Sequence, residues 1–325
     1  MRGRIFSGMR PTGKLHLGNY LGALKNWVAL QEDYDCVYCV VDLHALTTLR
    51  ETELLKSNTY DMVLDWLAAG IDPQRTIAFI QSHVPQVTAL HTILSMVTPM
   101  GWLTRLPTFK EKVRQQPDNV NYGLLGYPVL QAADITLYKA NAVPVGEDQL
   151  PHLEFTREIV RRFNYVFGPV LVEPEAKLTE TPRVIGTDGV NKMSKSLDNH
   201  IEISAPPEEI RQRVMSMVTD PQRTHRHIPG RPEVCNVFSM HKIYTPADKV
   251  AEIDHQCRTA GIGCVDCKKI FAQNLTDALA PLRERRAEFG RDPNTVWDVL
   301  DDGARRARVI ADQVLGEVEA AVGLP

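Results

Sequence analysis

Two short segments carry most of the residues able to do chemistry. Phe6-Ser7-Gly8-Met9-Arg10-Pro11-Thr12-Gly13-Lys14-Leu15-His16-Leu17-Gly18-Asn19 reads as a strand end, a glycine-punctuated turn and a helix start. Such a turn aims free backbone N–H groups and the positive helix end at an anion. Gly13 and Gly18 permit close backbone approach, and His16 and Asn19 can donate to phosphate or ribose oxygens. By itself the pattern equally describes an ordinary capped glycine turn. Lys192-Met193-Ser194-Lys195-Ser196 concentrates two ammonium groups and two hydroxyls on a loop, with one apolar residue as anchor. Two such cations can neutralise charge developing on a departing pyrophosphate, and a loop can close over bound nucleotide. A solvated polar loop has the same composition. Weight comes from position: the pentapeptide follows Ile185-Gly186-Thr187-Asp188-Gly189, beyond the strand-rich half. The pair suggests a triphosphate site.

The elements that must hold these segments alternate between two periods. Arg4 to Ser7, Cys36 to Val41, Thr76 to Gln81 and Ala142 to Val145 are short β-branched or apolar runs; Leu17 to Gln31, Glu51 to Ala69, Val87 to Val97 and Asp148 to Phe163 have helical length. Strands separated by helices predict crossover units in a parallel sheet covered on both faces, an α/β nucleotide-binding fold of Rossmann-like type. Leu17, Leu21, Leu24 and Val28 form the apolar stripe of the first helix, with Gly18 and Gly22 keeping its contact close. Leu103 to Leu125 reads as a polar loop before a helix over Tyr127 to Tyr138, and Glu173 to Asn199 as a mobile loop. After Pro206 the pattern is helical without clear strands. The expected organisation is a catalytic domain over 1–200 and an all-helical second domain over 201–325.

Composition excludes several classes. The 325 residues include 37 Lys and Arg against 40 Asp and Glu, a net charge of −3, so nucleic acid or anionic membrane is not bound by bulk attraction and any such site is local. The opening MRGRIFSGMR lacks the apolar core of a secretory signal, and no window approaches a membrane span. The expectation is a soluble cytoplasmic protein.

The two segments together resemble the HIGH and KMSKS signatures of class I aminoacyl-tRNA synthetases. Asp42-Leu43-His44-Ala45, Tyr127-Pro128-Val129-Leu130-Gln131-Ala132-Ala133-Asp134 and Pro144-Val145-Gly146-Glu147-Asp148-Gln149 resemble tryptophanyl-tRNA synthetases in order and spacing, over essentially the whole chain. Two departures stand out: Asn19 where the eponymous signature ends in histidine, and Arg10 where many bacterial relatives carry glutamine. The resemblance implies that Arg10, Pro11, Thr12, Gly18 and Asn19 contact ATP at the helix terminus. Gly146, Glu147 and Asp148 would hold ribose and adenine, Val184 would offer backbone to the base, and Lys192, Met193, Ser194, Lys195 and Ser196 would close over the phosphates. Catalysis would rest on His16, Asn19, Lys192 and Lys195. Phe6, His44, Tyr127, Gln131, Val143, Val145 and Gln149 would line the amino-acid pocket, with Asp134 accepting the indole N–H. Asp134 sits inside the apolar run VLQAADITLY, which argues against a solvent-facing carboxylate. ATP with Mg²⁺, L-tryptophan and tRNA are the implied cofactor and partners, in a homodimer joined through Leu103 to Tyr138.

Six cysteines are too sparse for a disulfide scaffold. Cys36 and Cys39, three apart on a strand, should point to opposite faces as core thiols. Cys235, Cys257, Cys264 and Cys267 are separated by 21, 6 and 2 residues, a donor set suited to structural zinc or an iron–sulfur cluster. Spacing alone favours zinc. A subset of tryptophanyl-tRNA synthetases carries a very similar array, one residue longer in the first gap, around a [4Fe-4S] cluster, and that resemblance reverses the preference. Arg223, His225, Arg226, His227, Arg231, Lys268 and Lys269 are either a solvated surface or RNA contacts. Rival functions are a tyrosyl-tRNA synthetase, which shares the Tyr-Pro, Gln and Asp pattern, a small-molecule nucleotidylyltransferase, and a catalytically dead RNA-binding paralogue. Gly146 to Gln149 and the cysteines favour tryptophan, the KMSKS match speaks against the nucleotidylyltransferase, and intact Asp134, Gln149, Lys192 and Lys195 against decay.

Overall fold

Short runs rich in Val, Ile, Phe and Tyr become five strands of one sheet: β1 (Arg4–Met9), β2 (Asp35–Val40), β3 (Ile77–Ile80), β4 (Ala142–Val145) and β5 (Glu175–Leu178). Their order is β3-β2-β1-β4-β5, with every pair parallel. The computed structural model describes residues 2–115, 117–178 and 184–325, with the side chains of all of these except Gln115 and Asp148. Between β1 and β2 the chain forms α1 (Leu17–Asn19), a π-helical stretch (Tyr20–Leu24) and α2 (Lys25–Leu30); α3 (Asp42–Ala45) and α4 (Leu55–Ala69) lead to β3. Then come α5 (Gln86–Val97), α6 (Met100–Arg105), α7 (Pro107–Gln115) and α8 (Tyr122–Leu137) before β4, and α9 (Leu150–Phe167) before β5. The remainder is α10 (Pro207–Ser216), α11 (Asn236–Tyr244), α12 (Ala247–Arg258), α13 (Cys264–Phe289) and α14 (Asn294–Val322). Strand order reverses between β1 and β4, and the crevice at their carboxyl ends is where a doubly wound sheet binds ligand.

Each face of the sheet has its own core. Leu17, Leu24, Trp27, Met62 and Trp66 pack on one face, and Leu275, Leu279 and Leu300 of α13 and α14 extend the same cluster. Leu90, Leu94, Val129, Ile159 and Phe163 cover the other, where Ala304, Ala307 and Ala311 of α14 join. The pleat divides the β2 cysteines as their spacing requires, Cys36 into the first core and Cys39 into the second. α14 also covers edge strand β3 at close range: a Cβ on Gly303 would lie 1.8 Å from the Ala78 carbonyl oxygen. Arg306 Nη2 donates to the carbonyls of Pro73 (2.6 Å) and Thr76 (2.5 Å) beside it. An otherwise open sheet edge is thereby closed.

Three expectations change. β5 lies in the stretch read as a loop; as an edge strand paired only with β4 it leaves Glu175, Ala176 and Leu178 exposed and shows no alternation. The stretch read as a polar loop is largely helical, α6 and α7. α7 is a surface helix whose Lys, Glu and Arg residues are good helix formers and whose proline starts the helix rather than interrupting it. Gly22 is not needed for close contact, since a Cβ there meets nothing within 4 Å.

Candidate active site

The signature segment leaves β1 and is fixed by the extended segment that follows the lysine loop. Leu17 N donates to the Ile201 carbonyl at 3.0 Å and Ile203 N to the Leu15 carbonyl at 2.9 Å, so residues separated by almost the whole sheet lie side by side. Gly13 takes φ +81°, and a Cβ there would meet Asn58 Oδ1 at 2.8 Å, which is why glycine stands there. His16 is buried and caps α1: its Nδ1 accepts from Gly18 N at 3.1 Å, while Asn19 Oδ1 accepts from His16 N at 3.1 Å. Burial, with His200, Lys195 and Lys192 nearby, pushes the imidazole down to about 4. The ring is therefore neutral near pH 7 with its proton on Nε2, a hydrogen-bond donor.

The lysine loop is a small hairpin. Met193 N donates to the Val184 carbonyl at 2.9 Å and Gly186 N to the Asn191 carbonyl at 2.9 Å; Met193 is 2% exposed and is the apolar anchor expected from the sequence. Buried Asn199 frames the loop. Its Oδ1 accepts from Ser194 N at 2.7 Å and its Nδ2 donates to Asp188 at 2.9 Å, while Gly186 leaves the room, since a Cβ there would lie 2.2 Å from that Nδ2. Asp188, held by Val190 N–H and the Asn191 and Asn199 amides, is lowered to about 2. Lys195 Nζ donates to the Thr12 carbonyl at 2.7 Å, joining loop to signature segment. Burial lowers its pKa. Ser194 and Ser196 share a hydrogen bond of 2.7 Å, and Lys192 is exposed.

At the carboxyl ends of β1 and β4 opens a cavity of about 330 Å³. Phe6, Arg10, His44, Tyr127, Gln131, Asp134, Val143, Val145 and Gln149 all line it, so the residues expected of an amino-acid pocket come together. Asp134 is 2% exposed on α8. His44 Nε2 donates to its Oδ2 at 2.8 Å. Tyr127 donates to Thr108 Oγ1 at 3.1 Å and carries Lys112 Nζ 3.6 Å above its ring. Arg10, which belongs to the signature segment and also lines the cavity, connects the two halves; its Nη2 donates to Thr48 Oγ1 at 2.5 Å. Gly146 and Glu147 lie between β4 and α9, and the Asp148 side chain lies outside the described residues. A cavity with one buried carboxylate in its wall, sharing Arg10 with a turn to which Lys195 is tied, suits activation of an amino acid by a nucleoside triphosphate.

Comparison with known proteins decides the family. The model for class I tRNA synthetases of the tryptophan and tyrosine type matches residues 2–280. The tryptophan–tRNA ligases of Deinococcus radiodurans and Thermotoga maritima are each 46% identical to this chain, over 98% of both chains for the first and 99% for the second. The chain belongs to the tryptophanyl-tRNA synthetases. Among solved structures, a Campylobacter jejuni tryptophanyl-tRNA synthetase complexed with ADP and tryptophan aligns with TM-score 0.90 at 35% identity, over 99% of this chain and all of that one.

Within this synthetase four residues escape the sequence reading. Lys112 and Thr47 line the cavity. Gln81 and Asp65 lie behind the site: Gln81 Nε2 donates to both Asp134 oxygens at 2.8 Å, and Asp65 Oδ2 accepts from Leu15 N at 2.6 Å. Polar residues inside otherwise apolar runs, TIAFIQ and MVLDWLA, were their only signal.

The four late cysteines approach one another without forming a coordination site. Cys235 precedes α11, Cys257 lies on α12, and Cys264 and Cys267 open α13. The thiols are close enough that the other three act on Cys267. The Arg223 guanidinium stands 3.7 Å from Cys257 Sγ and 3.8 Å from Cys264 Sγ, and Cys267 Sγ is 3.4 Å from His241 Nε2. Among the described residues no group of three or more His, Cys, Asp or Glu side chains is arranged to hold a metal ion. The expected metal centre is thus present as a donor set only, with the Arg223 guanidinium beside two of its thiols. His225 and His227 stack at 5.6 Å on exposed chain beside it.

Proposed function

We infer that the chain is a tryptophan–tRNA ligase: it activates tryptophan with ATP to tryptophanyl-adenylate and pyrophosphate, then transfers tryptophan to the 3′ end of its tRNA. One observation carries this reading, the buried Asp134 carboxylate at the wall of a cavity that shares Arg10 with the signature segment, to which Lys195 is tied through the Thr12 carbonyl. An apolar slot discriminates weakly between similar rings, whereas a buried carboxylate left without its donor costs several kcal/mol.

The substrate carboxylate is already ionised, so the first step needs no general base. Its oxygen attacks the α-phosphorus, the bond to the β-phosphate oxygen breaks, and pyrophosphate leaves. Mg²⁺ accompanies the nucleotide and neutralises phosphate charge. Neutral His16 donates through Nε2, Arg10, Pro11, Thr12, Gly18 and Asn19 cradle the phosphates, and Lys192, Met193, Ser194, Lys195 and Ser196 close over them, the two lysines meeting the charge of the leaving group. Gly146, Glu147, Asp148 and Val184 face the nucleoside. Phe6, His44, Tyr127, Gln131, Val143, Val145 and Gln149 hold the amino acid, with Asp134 on the indole N–H. A ribose hydroxyl of the tRNA terminus then attacks the carbonyl carbon and AMP leaves.

The enzyme works as a cytoplasmic homodimer with a catalytic unit over 1–200 and a helical tRNA-binding unit over 201–325. No helix among the described residues is long and apolar enough to cross a membrane. Exposed Val120 and Tyr122 support a contact through Leu103 to Tyr138. Cys235, Cys257, Cys264 and Cys267 would hold a [4Fe-4S] cluster, with zinc as the alternative; the support is the donor set and the resemblance. Iron, zinc and acid-labile sulfide measured on anaerobically purified protein separate the cases, and folded metal-free protein contradicts both. The catalytic reading is tested by isotopic pyrophosphate exchange into ATP: tryptophan drives exchange and tyrosine does not, and comparable exchange with tyrosine contradicts it.

A further inference from the structure

The cavity selects through Asp134, but Asp134 does not hold itself in place. Gln81, at the end of β3, is 1% exposed and does not line the cavity. Its Oε1 accepts from the backbone N–H groups of Leu43 (3.1 Å) and His44 (3.4 Å). Backbone N–H groups only donate, so the carboxamide orientation is fixed, and the Nε2 must face Asp134, where it lies 2.8 Å from Oδ1 and 2.8 Å from Oδ2. The turn that carries Gln81 is tied to α3 a second time, since Asp42 accepts from Ser82 N at 3.0 Å and from Ser82 Oγ at 2.5 Å. One side chain thus joins the end of β3, the start of α3 and the last turn of α8.

A carboxylate offers about four acceptor positions. The amide nitrogen, equidistant from both oxygens, occupies the two that face each other, and His44 Nε2 takes a third on Oδ2 at 2.8 Å. What remains is one position on Oδ1. We propose that Gln81 is a positioning residue for tryptophan selection: it fixes the Asp134 carboxylate so that a single unfilled acceptor, on Oδ1, meets the indole N–H. This rests on Asp134 being the indole acceptor. Without Gln81 the carboxylate turns about its own bond and can satisfy itself elsewhere, so a substrate lacking the N–H is no longer penalised.

The test compares kcat/KM in pyrophosphate exchange for L-tryptophan and for 3-(benzothiophen-3-yl)alanine, which carries sulfur in place of the indole N–H. Wild-type enzyme should prefer tryptophan by a factor on the order of 10⁴. Gln81→Met, similar in shape but without donors, should lower that preference at least ~10-fold with the KM for ATP unchanged. Gln81→Glu keeps an acceptor for Leu43 and His44, and its carboxyl, sharing one proton with Asp134, still donates to it, so it should keep more of the preference than Gln81→Met. Equal losses for both substrates, with the preference intact in both variants, would show a structural role only and overturn the inference. No preference in the wild type would overturn the reading of Asp134 itself, and this inference with it. A tryptophan complex provides a readout independent of the variants: the indole nitrogen should contact Oδ1 with Gln81 still on both oxygens, and an indole on Oδ2 or a withdrawn Gln81 would contradict the assignment.

Discussion

Arg286→Met probes the join between the helical part and the nucleotide turn. Asp65, on α4, has a side chain with no exposure and accepts from Leu15 N (2.6 Å), one residue before His16, and from Arg286 Nε (2.7 Å) on α13. Arg286 Nη2 also reaches Asp61 at 2.5 Å. Methionine keeps the apolar stem and deletes the charge. Asp61 is about a third exposed and regains water, so its share is within ~1 kcal/mol. Asp65 has no such recourse, and removing one partner of a buried pair costs about 3–5 kcal/mol. In urea this lowers the unfolding midpoint by roughly 1–2 M. Burial pushes the Asp65 carboxyl up to about 6, opposed chiefly by Arg286 and then by the Leu15 N–H. Its folded value therefore lies above its ordinary 3.8, so the stability it contributes is fully present below that pH and is lost as pH rises through about 6. Deleting Arg286 removes the main opposing group, so the penalty should be largest above pH 6 and shrink toward pH 4. Asp65→Asn combined with Arg286→Met should be more stable than Arg286→Met alone. A single variant within ~0.5 kcal/mol of wild type, or a penalty that grows on acidification, would refute the reasoning.

Lys195→Ala should lower the adenylation rate about 100-fold while changing the KM for ATP less than about threefold, because charge on the leaving group grows only as pyrophosphate departs; matched losses in single-turnover rate and ATP affinity would indicate ground-state binding. Gly303→Ala would place a Cβ 1.8 Å from the Ala78 carbonyl oxygen and force α14 off β3. It should cost about 2–3 kcal/mol and lower Tm by roughly 3–5 °C, and an unchanged melting curve would mean that this contact carries no load.

The first four strands were legible because each is a short apolar run bounded by turn residues, and Ala142–Val145 keeps its expected ends. β5 was not, since an edge strand with one neighbour and little burial has no alternation to read. The site divides the same way. His16 and Lys195 lie on contiguous motifs whose chemistry local pattern suggests, whereas Asp134 is named through the resemblance to tryptophanyl-tRNA synthetases. Gln81 and Asp65 could not be named, because each has meaning only through a partner 50 or more positions away, 53 for Gln81 with Asp134 and 50 for Asp65 with Leu15. The cysteines show the converse. Their spacing announces a donor set, but spacing says nothing about Arg223, which comes from a distant turn to stand beside two of the thiols.

The central claim is that one buried carboxylate reads the indole N–H, and the direct measurement is tryptophan-dependent pyrophosphate exchange by Asp134→Ala. The account predicts that kcat/KM for tryptophan falls at least ~100-fold while the KM for ATP is unchanged, because Asp134 lines the amino-acid cavity and not the nucleotide turn. A kcat/KM near the wild-type value would contradict it.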